Sequence, residues 1–432
     1  MSEKPASDQL YALIANEEDA RVCKDIPDEA CQEVPRNFFL MFGSLVLTKL
    51  GDLLISPKTV LAWLMGAVGA HALVAWLVPI RESGSMIPQL AIGAWMRRKA
   101  LRKGFWVGGS LGQAVAVLLM AASVWTLDGY RAGFGILAAL VIFSLARGFC
   151  SVAMKDVQGK VIPKTRRGRL TGLATTVSGI LTAVLAALLF QAGEPSLLFY
   201  SLLLVMAALL WVIAGALFAT IEELPGETDG GGNALQEALR SLSLLRDDPP
   251  FRHFVITRAL LLCSALAAPY FVVMAQQQSG GAALLATFLF ASSLASSVSA
   301  SIWGWMADRS SRQVLILGAT IASATCLLVA LLSLLLPASS LGKGFLPLAF
   351  FVLSIAHAGV RLGRKTYLVD MAGGNKRTDY TAVSNTVIGV LLLLAGALSA
   401  LVSLLSPAAV ILMLGAMGLC GTLCALRLQE VQ

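Results

Sequence analysis

Residues 202–218 read LLLVMAALLWVIAGALF, seventeen residues without a charged side chain. A helix that crosses the roughly 30 Å hydrocarbon core of a bilayer needs about 20 mostly apolar residues. A membrane β-barrel would instead need segments of about ten residues in which apolar and polar side chains alternate. Continuous apolar runs of this kind, of which residues 183–190 are a second example, therefore predict membrane-spanning α-helices.

The whole chain shares this apolar character. Of its 432 residues, 57% are hydrophobic and 13% are charged, whereas about 25% of the residues of an ordinary soluble protein are charged. The mean hydropathy is +0.77, so the apolar side chains exceed what a water-soluble core could bury. This composition also excludes a disordered chain, a collagen-like fibre and a disulfide-rich secreted domain.

The apolar segments predict an all-α membrane protein with twelve transmembrane helices. The predicted helices cover residues 37–65, 70–97, 104–127, 131–154, 169–192, 196–221, 251–277, 281–306, 312–336, 343–363, 380–404 and 407–427. The polar gap in the middle is rich in turn residues, including the glycines 230–232 and the sequence Asp247–Pro250, which is typical of a linker. We therefore expect a tail at residues 1–36, a six-helix bundle at 37–221, a linker at 222–250 and a second six-helix bundle at 251–432.

The distribution of charge predicts the orientation. Basic residues are concentrated in the connections after the second and fourth helices, at 97–103 and 155–169, and the alternate loops carry few of them. Positively charged loops stay on the cytoplasmic side, so we expect a multi-pass protein of the cytoplasmic (inner) membrane with an acidic tail and both termini in the cytoplasm. The same rule explains the isoelectric point of about 9.2, and because no binding motif accompanies the basic residues, no nucleic-acid partner is predicted.

The two halves of the chain carry matching residues. Arg147 and Asp156 are nine residues apart, as are Arg361 and Asp370, at an offset of 214 residues. Thr48-Lys49 matches Thr257-Arg258 at an offset of 209 residues. Such repetition indicates a duplicated six-helix unit, which is typical of transporters built from two pseudo-symmetric bundles.

Residues 304–312, GWMADRSSR, resemble the helix 2–3 motif of the major facilitator superfamily in its second-half copy. Arg147 falls where that superfamily often has a membrane-embedded arginine, and residues 163–168 are similar to its helix 4–5 connection. The resemblance covers the chain after about residue 36 and implies the major facilitator fold. In the first half the corresponding residues 93–99, GAWMRRK, contain no acidic residue, so any gate formed by this motif would be asymmetric. The fifth helix also lacks the Gly-Pro pair that typifies drug–proton antiporters of the superfamily, which argues against multidrug efflux without excluding it.

Ionisable side chains inside a bilayer are costly and usually mark a transport pathway or a proton relay. Asp52 and Glu82 are the predicted proton-coupling residues. The predicted cavity and substrate-binding residues, whose cations would attract an anionic or zwitterionic solute, are Lys49, Arg81, Gln89, Arg147 and Arg258. The alternative is that Asp52–Lys49 and Glu82–Arg81 or Glu82–Arg147 are structural ion pairs. Because neighbouring residues on a helix point about 100° apart, Arg81 and Glu82 cannot both face the cavity equally.

A second set of charged residues is predicted to act in gating. The resemblance implies this role for Asp308, Arg309 and Arg312, with a helix cap and solvated charges as the alternative. Asp156 would support the same gate or, with Arg147, form a charge relay near a helix end that closes the cytoplasmic side. Arg361 and Asp370 would form the equivalent relay in the second half.

The predicted function is secondary active transport of a small anionic or zwitterionic solute by alternating access, coupled to protons. The expected partners are the solute, a proton or another coupling cation and the lipid bilayer, and we expect a monomer. No structural disulfide is predicted, because most of the seven cysteines lie within apolar helices, and no metal site or cofactor is predicted either. The chain is not predicted to be an enzyme, since no nucleophile–base pattern is present. The alternatives are a non-transporting sensor or assembly factor with a transporter fold, and a drug/proton efflux antiporter.

Overall fold

The computed structural model describes residue 11 and residues 28–189, 196–226, 228, 242–278, 281–307, 309–336, 344–372 and 376–431. In these ranges the chain forms helices and no β-strand. Twelve membrane spans, which we number in chain order, account for most of it. Spans 1 to 6 are Val34–Leu54 with Val60–Ala67, His71–Trp76 with Leu77–Met86 and Gln89–Arg97, Lys103–Thr126, Gly129–Val161, Lys164–Leu189, and Leu197–Ala219. Spans 7 to 12 are Pro249–Leu260 with Cys263–Leu266 and Ala268–Gln278, Ala282–Ala307, Ser311–Leu335, Phe345–Met371, Lys376–Ser403, and Pro407–Leu426.

Length and hydropathy agree with this assignment. Among the described residues, eleven helical segments are long and apolar enough to cross a membrane, and they correspond to every span except span 2. Short helices at Asp28–Gln32 and Leu244–Asp247 precede spans 1 and 7. The protein is therefore an all-α, multi-pass membrane protein, as the apolar segments predict.

Three spans that the hydropathy predicts as continuous helices are interrupted. Span 1 breaks at residues 55–59 around Pro57, span 2 breaks before Gln89 at Pro88, and span 7 breaks at residues 261–262 and at Ala267, two residues before Pro269. Proline has no backbone N–H and its ring displaces the preceding turn, so it ends or kinks a helix. The expectation of unbroken helices is wrong at these places, because hydropathy reports burial in lipid and not backbone geometry.

The packing of the spans repeats with a period of six. Span 3 packs on spans 4 and 6 as span 9 packs on spans 10 and 12, and the pairs 1–6 and 2–4 recur as 7–12 and 8–10. Span 5 packs on span 8, and span 2 packs on span 11, and both contacts join the two halves. These two contacts are likewise related by the shift of six spans. The fold therefore consists of two pseudo-symmetric six-helix bundles, as predicted from the repeated residues.

The tightest repeated contact depends on glycine. A Cβ atom added to Gly109 of span 3 would lie 2.7 Å from the carbonyl oxygen of Ala146 in span 4. At Gly318 of span 9, a Cβ atom would lie 3.0 Å from the carbonyl oxygen of Ala356 in span 10. The small residue lets the two backbones approach closely, and its position is the same in both halves.

The bundles meet on the side away from the start of span 1. We call the side on which span 1 begins the proximal side and the opposite side the distal side. On the distal side Val60–Ala67 contacts Ala268–Gln278, and Gln276 Nε2 donates a hydrogen bond to the Trp63 carbonyl at 3.0 Å. These contacts bring the first and seventh spans together and close the space between the bundles at the distal end.

One expectation about cysteine is wrong. Cys31 is disulfide-bonded, whereas Cys150, Cys263, Cys326 and Cys420 are free. The expectation of no disulfide rested on the cysteines inside apolar helices, and Cys31 precedes the first membrane span. The same end of the chain contributes Tyr11, whose ring packs edge-on against Phe38 with a centroid distance of 5.4 Å.

Candidate functional site

The Asp52 carboxylate ties three spans of the first bundle together. Its Oδ1 atom accepts hydrogen bonds from Arg81 Nη2 of span 2 at 2.7 Å and from Arg147 Nη1 of span 4 at 2.6 Å. Arg81 is buried, and its guanidinium lies 4.3 Å from the centroid of the Phe143 ring. The two guanidinium groups stabilise the carboxylate in its charged form. The observed ion pairs therefore involve Arg81 and Arg147 and not Lys49, the partner that the sequence pattern suggests.

A cavity of about 210 Å³, which we call the Asp52 cavity, lies beside this ion-pair cluster. Its polar lining includes Lys49, Asp52 and Arg147, together with Gln113 and Trp211. Gln113 Oε1 and Trp211 Nε1 are buried and have no hydrogen-bond partner among the described residues. An unsatisfied buried polar atom costs roughly 1–3 kcal/mol, so the side chains of Gln113 and Trp211 are unusual members of the cavity wall.

Sequence reasoning missed Gln113 and Trp211. Neither is charged, and each lies in a helix that is mostly apolar. A polar residue at the centre of an apolar span is a weak signal that could have identified Gln113, whereas Trp211 is indistinguishable from a packing residue without the structure.

A second cavity, the Lys58 cavity, has a volume of about 120 Å³ and lies against the second bundle. Lys58 of span 1 and His357 and Arg361 of span 10 supply its charged and titratable groups. Four serines complete the polar lining: Ser264, Ser292, Ser296 and Ser354. His357 Nδ1 and Ser264 Oγ are 3.1 Å apart. The sequence analysis treats Arg361 as part of a helix-end relay, but the structure places it in the interior of span 10, on the wall of this cavity.

Glu82 does not share the ion pairs of its neighbour Arg81. It is partly exposed and lies within charge-interaction range of Lys58 and Arg364 as well as of Arg81 and Arg147. Among the described residues it forms no ion pair within 4.0 Å, so the predicted Glu82–Arg81 and Glu82–Arg147 pairs are not formed. The angular separation of adjacent helical residues explains why Arg81 reaches Asp52 and Glu82 does not join that cluster.

The two cavities together carry an excess of positive charge. Among the described residues that line them, four are cationic and one is a carboxylate, which leaves an excess of three positive charges. The cations are Lys49 and Arg147 in the Asp52 cavity and Lys58 and Arg361 in the Lys58 cavity, and the carboxylate is Asp52. Lys49 of the first bundle and Arg361 of the second lie within charge-interaction range of each other, so the two groups form one electrostatic site between the bundles.

Arg258 and Gln89 belong to a separate hydrogen-bond network. Arg258 is buried and donates to Ser384 Oγ at 2.6 Å and to Asn385 Oδ1 at 2.9 Å. Asn385 Nδ2 in turn donates to Gln89 Oε1 at 3.3 Å. This network joins span 2 to spans 7 and 11 across the two halves, and neither Arg258 nor Gln89 lines either of the two cavities.

Two predicted gating residues lie in matching contacts at the proximal ends of the bundles. Arg102 Nη1 contacts Asp156 at 3.1 Å, and the backbone N–H of Arg102 donates to the buried carboxylate of Glu223, which follows span 6. In the second half, Arg312 contacts Glu430, which follows span 12, at 3.7 Å. In each half, a carboxylate that follows the sixth span therefore binds the start of the third span. The sequence pattern does not predict this contact.

The remaining gating candidates are scattered. The Arg309 guanidinium lies 3.9 Å from the centroid of the exposed Trp305 ring, and Asp370 is exposed in the last turn of span 10. Asp308 lies outside the described residues. The structure therefore does not bring Arg309 and Arg361 together in one cluster.

Comparison with known proteins points to one family. A sequence model of the Major Facilitator Superfamily matches residues 38–333. The structure is similar to that of a POT family transporter in complex with a thioalcohol-conjugated peptide, with a TM-score of 0.66 and 12% identity over 93% of this chain and 98% of that chain. A D-xylose–proton symporter gives a TM-score of 0.66 and 13% identity over the same shares of the two chains.

The fucose:proton symporter of E. coli gives a TM-score of 0.55 and 17% identity over 91% of this chain and 98% of that chain. At these identities the likeness establishes the fold alone. No curated protein sequence shows a significant match to the chain.

Proposed function

The chain belongs to the major facilitator superfamily, and from this premise we propose that it is a secondary active transporter for a small anionic or zwitterionic solute. Transport would proceed by alternating access and be coupled to protons. The observation that carries the proposal is the electrostatic site between the bundles, with an excess of three positive charges on the walls of its two cavities. Membrane-embedded cations of this kind are costly unless they serve a solute or an ion.

The contacts between the bundles support an alternating-access cycle. The bundles touch at the distal end through Trp63 and Gln276, while Arg361, halfway along span 10, remains exposed. If the proximal side is cytoplasmic, as the distribution of basic residues indicates, this is an inward-facing state. Rocking of the two bundles would then open the distal contact and close the proximal side.

The bundles that rock are those proposed from the sequence, 37–221 and 251–432, joined by a cytoplasmic linker at 222–250. The tail at 1–36 and both termini would lie in the cytoplasm. The site lies at the bundle interface within one chain, so a monomer is sufficient for this mechanism.

The two carboxylates are proposed to have different roles. Asp52 is held by two guanidinium groups, which supports a role in joining spans 1, 2 and 4 while orienting Arg147 toward the solute. Glu82 has no direct ion-pair partner among the described residues and faces Lys58 and Arg364, so it is the stronger candidate for the proton carrier. Two of the structural neighbours are named as proton symporters, which supports protons as the coupling ion.

The test is uptake by the purified chain in proteoliposomes with an imposed pH gradient and a panel of radiolabelled anionic and zwitterionic solutes. We expect one class of solute to accumulate above equilibrium, and a protonophore to abolish the accumulation. Accumulation that persists with the protonophore would overturn proton coupling. Binding of a solute without any counterflow would overturn transport and support a sensor.

A further inference from the structure

Three cations in or beside the Lys58 cavity have no direct partner among the described residues. Lys58, Arg361 and Arg364 form no hydrogen bond or ion pair with any described residue through their charged groups, although all three lie in the membrane-spanning part of the chain. Asp52 is already occupied by Arg81 and Arg147. Glu82 is within charge-interaction range of two of the three but contacts neither. Within the described part of the chain, no carboxylate therefore forms an ion pair with any of the three cations.

Such a cluster is unfavourable as it stands. Like charges that are close together repel one another, and Lys58 and Arg364, which are partly buried, also lose hydration that no described ion-pair partner replaces. Lys58 and Arg361 come from different bundles, so the repulsion also opposes their close approach. An anion of matching shape bound between them would remove both penalties.

The lining of the Lys58 cavity suits an oxyanion. Arg361 presents a planar guanidinium that can bind two oxygen atoms at once, and Lys58 presents an ammonium group. The four serines of the cavity offer hydroxyl donors around these cations. His357 adds a ring nitrogen on the same wall, its Nδ1 being turned toward Ser264. All of these groups can donate to oxygen, and within the described part of the chain no carboxylate lines this cavity.

The number of charges indicates the class of solute. The Lys58 cavity is lined by two cations, Lys58 and Arg361, and in the described part of the chain by no carboxylate, so a monoanion would leave one positive charge unbalanced. We propose that the Lys58 cavity is a subsite for an oxyanion group of a solute with at least two negative charges, such as a phosphate monoester or a dicarboxylate. The rest of the solute would reach toward Lys49 and Arg147 in the Asp52 cavity. This inference rests on the proposed function and narrows its substrate class.

The experiment measures the thermal stability of the purified full-length chain in detergent with inorganic phosphate, succinate, acetate or chloride at matched ionic strength. Because anions that bind only the native state raise the Tm, we expect phosphate or succinate to raise the Tm saturably. Acetate and chloride should not. An equal shift with all four anions, or none with phosphate and succinate, would overturn the inference.

Two variants and a matched control locate the effect. Lys58→Gln and Arg361→Gln, which change the two cations that line the cavity, should abolish the phosphate or succinate shift. Without added anion their Tm should equal or exceed that of the parent chain, because each removes a repelling charge. Arg131→Gln removes the same charge from an exposed position at the distal end of span 4 and should leave the shift unchanged. A full shift in both cavity variants would overturn the site.

Transport separates this inference from the proposed function. Proteoliposomes loaded with unlabelled phosphate or succinate should exchange it for the radiolabelled anion, and exchange should fall at least tenfold in Lys58→Gln. Saturable binding without exchange would support the subsite but overturn transport. Exchange of a neutral or monoanionic solute, with no effect of dianions, would support transport but overturn the subsite.

Discussion

At the scale of single residues, the charged side chains of the membrane interior fall into paired and unpaired groups. Asp52, Arg81 and Arg147 form a compact cluster with N–O distances of 2.6–2.7 Å, whereas Glu82 and Lys58 have no such contact among the described residues. Paired charges stabilise a structure, and unpaired ones are free to bind or exchange an ion. The two groups should therefore respond differently to neutralisation.

Glu82→Gln should abolish proton-driven accumulation and leave solute exchange intact, because the amide cannot carry a proton but occupies the same volume. The measurement compares gradient-driven uptake with counterflow in proteoliposomes. Asp128→Asn, an exposed carboxylate at the distal end of span 4, is the control and should change neither. Gradient-driven uptake at the parental level in Glu82→Gln would rule out Glu82 as the proton carrier.

Asp52→Asn should destabilise the protein, because it leaves the buried Arg81 guanidinium without a counter-charge. Removing one partner of a buried ion pair costs roughly 3–5 kcal/mol, and partial exposure of Arg147 puts the expected loss near the lower figure. Thermal unfolding in detergent measures it. Lys49→Gln, one turn away on the same helix and without an ion-pair partner in the described structure, should unfold near the parental temperature. Equal Tm values for the two variants would contradict the structural role of Asp52.

At the scale of elements, the spans are defined by where helices bend and where they touch. Proline residues divide spans 1, 2 and 7, and these broken spans supply Lys58 and Glu82 to the site and Gln276 to the distal contact. Unbroken spans such as 3, 4, 9 and 10 pack through close backbone contacts at Gly109 and Gly318. The rigid pairs hold the bundles together, and the broken spans line the space between them.

Gly109→Ala should lower the stability by about 1–3 kcal/mol, the usual cost of overpacking, because its Cβ would lie 2.7 Å from the Ala146 carbonyl oxygen. Gly108→Ala is the matched control, since a Cβ at the preceding position of the same helix meets no atom within 4 Å. The two Tm values in detergent provide the comparison. An unchanged Tm for Gly109→Ala would mean that spans 3 and 4 can separate without cost.

At the scale of the whole molecule, the distal contact determines which side of the site is open. Gly66 of span 1 lies directly against the side chain of Gln276 in span 7, and the two residues belong to different bundles. Any cycle in which the bundles rock must separate this pair in the opposite state. The contact therefore reports on alternating access more directly than a residue of the site does.

The double variant Gly66→Cys with Gln276→Cys should cross-link under mild oxidation, and the cross-link should stop solute exchange until a reductant is added. Each single variant under the same oxidation is the control and should keep exchanging. Failure to cross-link would contradict the proximity of the two positions. Exchange at the full rate in the cross-linked protein would contradict a cycle that opens the distal side.

How much of the site the sequence predicts depends on the kind of signal. Asp52, Arg81 and Arg147 are recognisable because a charge within an apolar helix stands out whatever the packing. Their pairing is not predictable, since the rotation of each helix decides whether Asp52 meets Lys49 or the arginines of spans 2 and 4. Arg361 shows the same limit, because its match to Arg147 suggests a gating relay and only the packing of span 10 places it on a cavity wall.

The class of the protein follows from the amino-acid sequence alone. The long apolar segments predict helices directly, because every backbone polar group in the hydrocarbon must be satisfied within a helix. The placement of the basic loops and the repeated residues are likewise visible in the chain without any knowledge of its packing. The packing of the helices decides which charges are paired, that Gln113 and Trp211 border a cavity, and that Lys58 and Arg361 line one cavity between the bundles. These arrangements join residues on different helices, such as Asp52 and Arg147, 95 positions apart, and no local pattern records the angle at which two helices face each other.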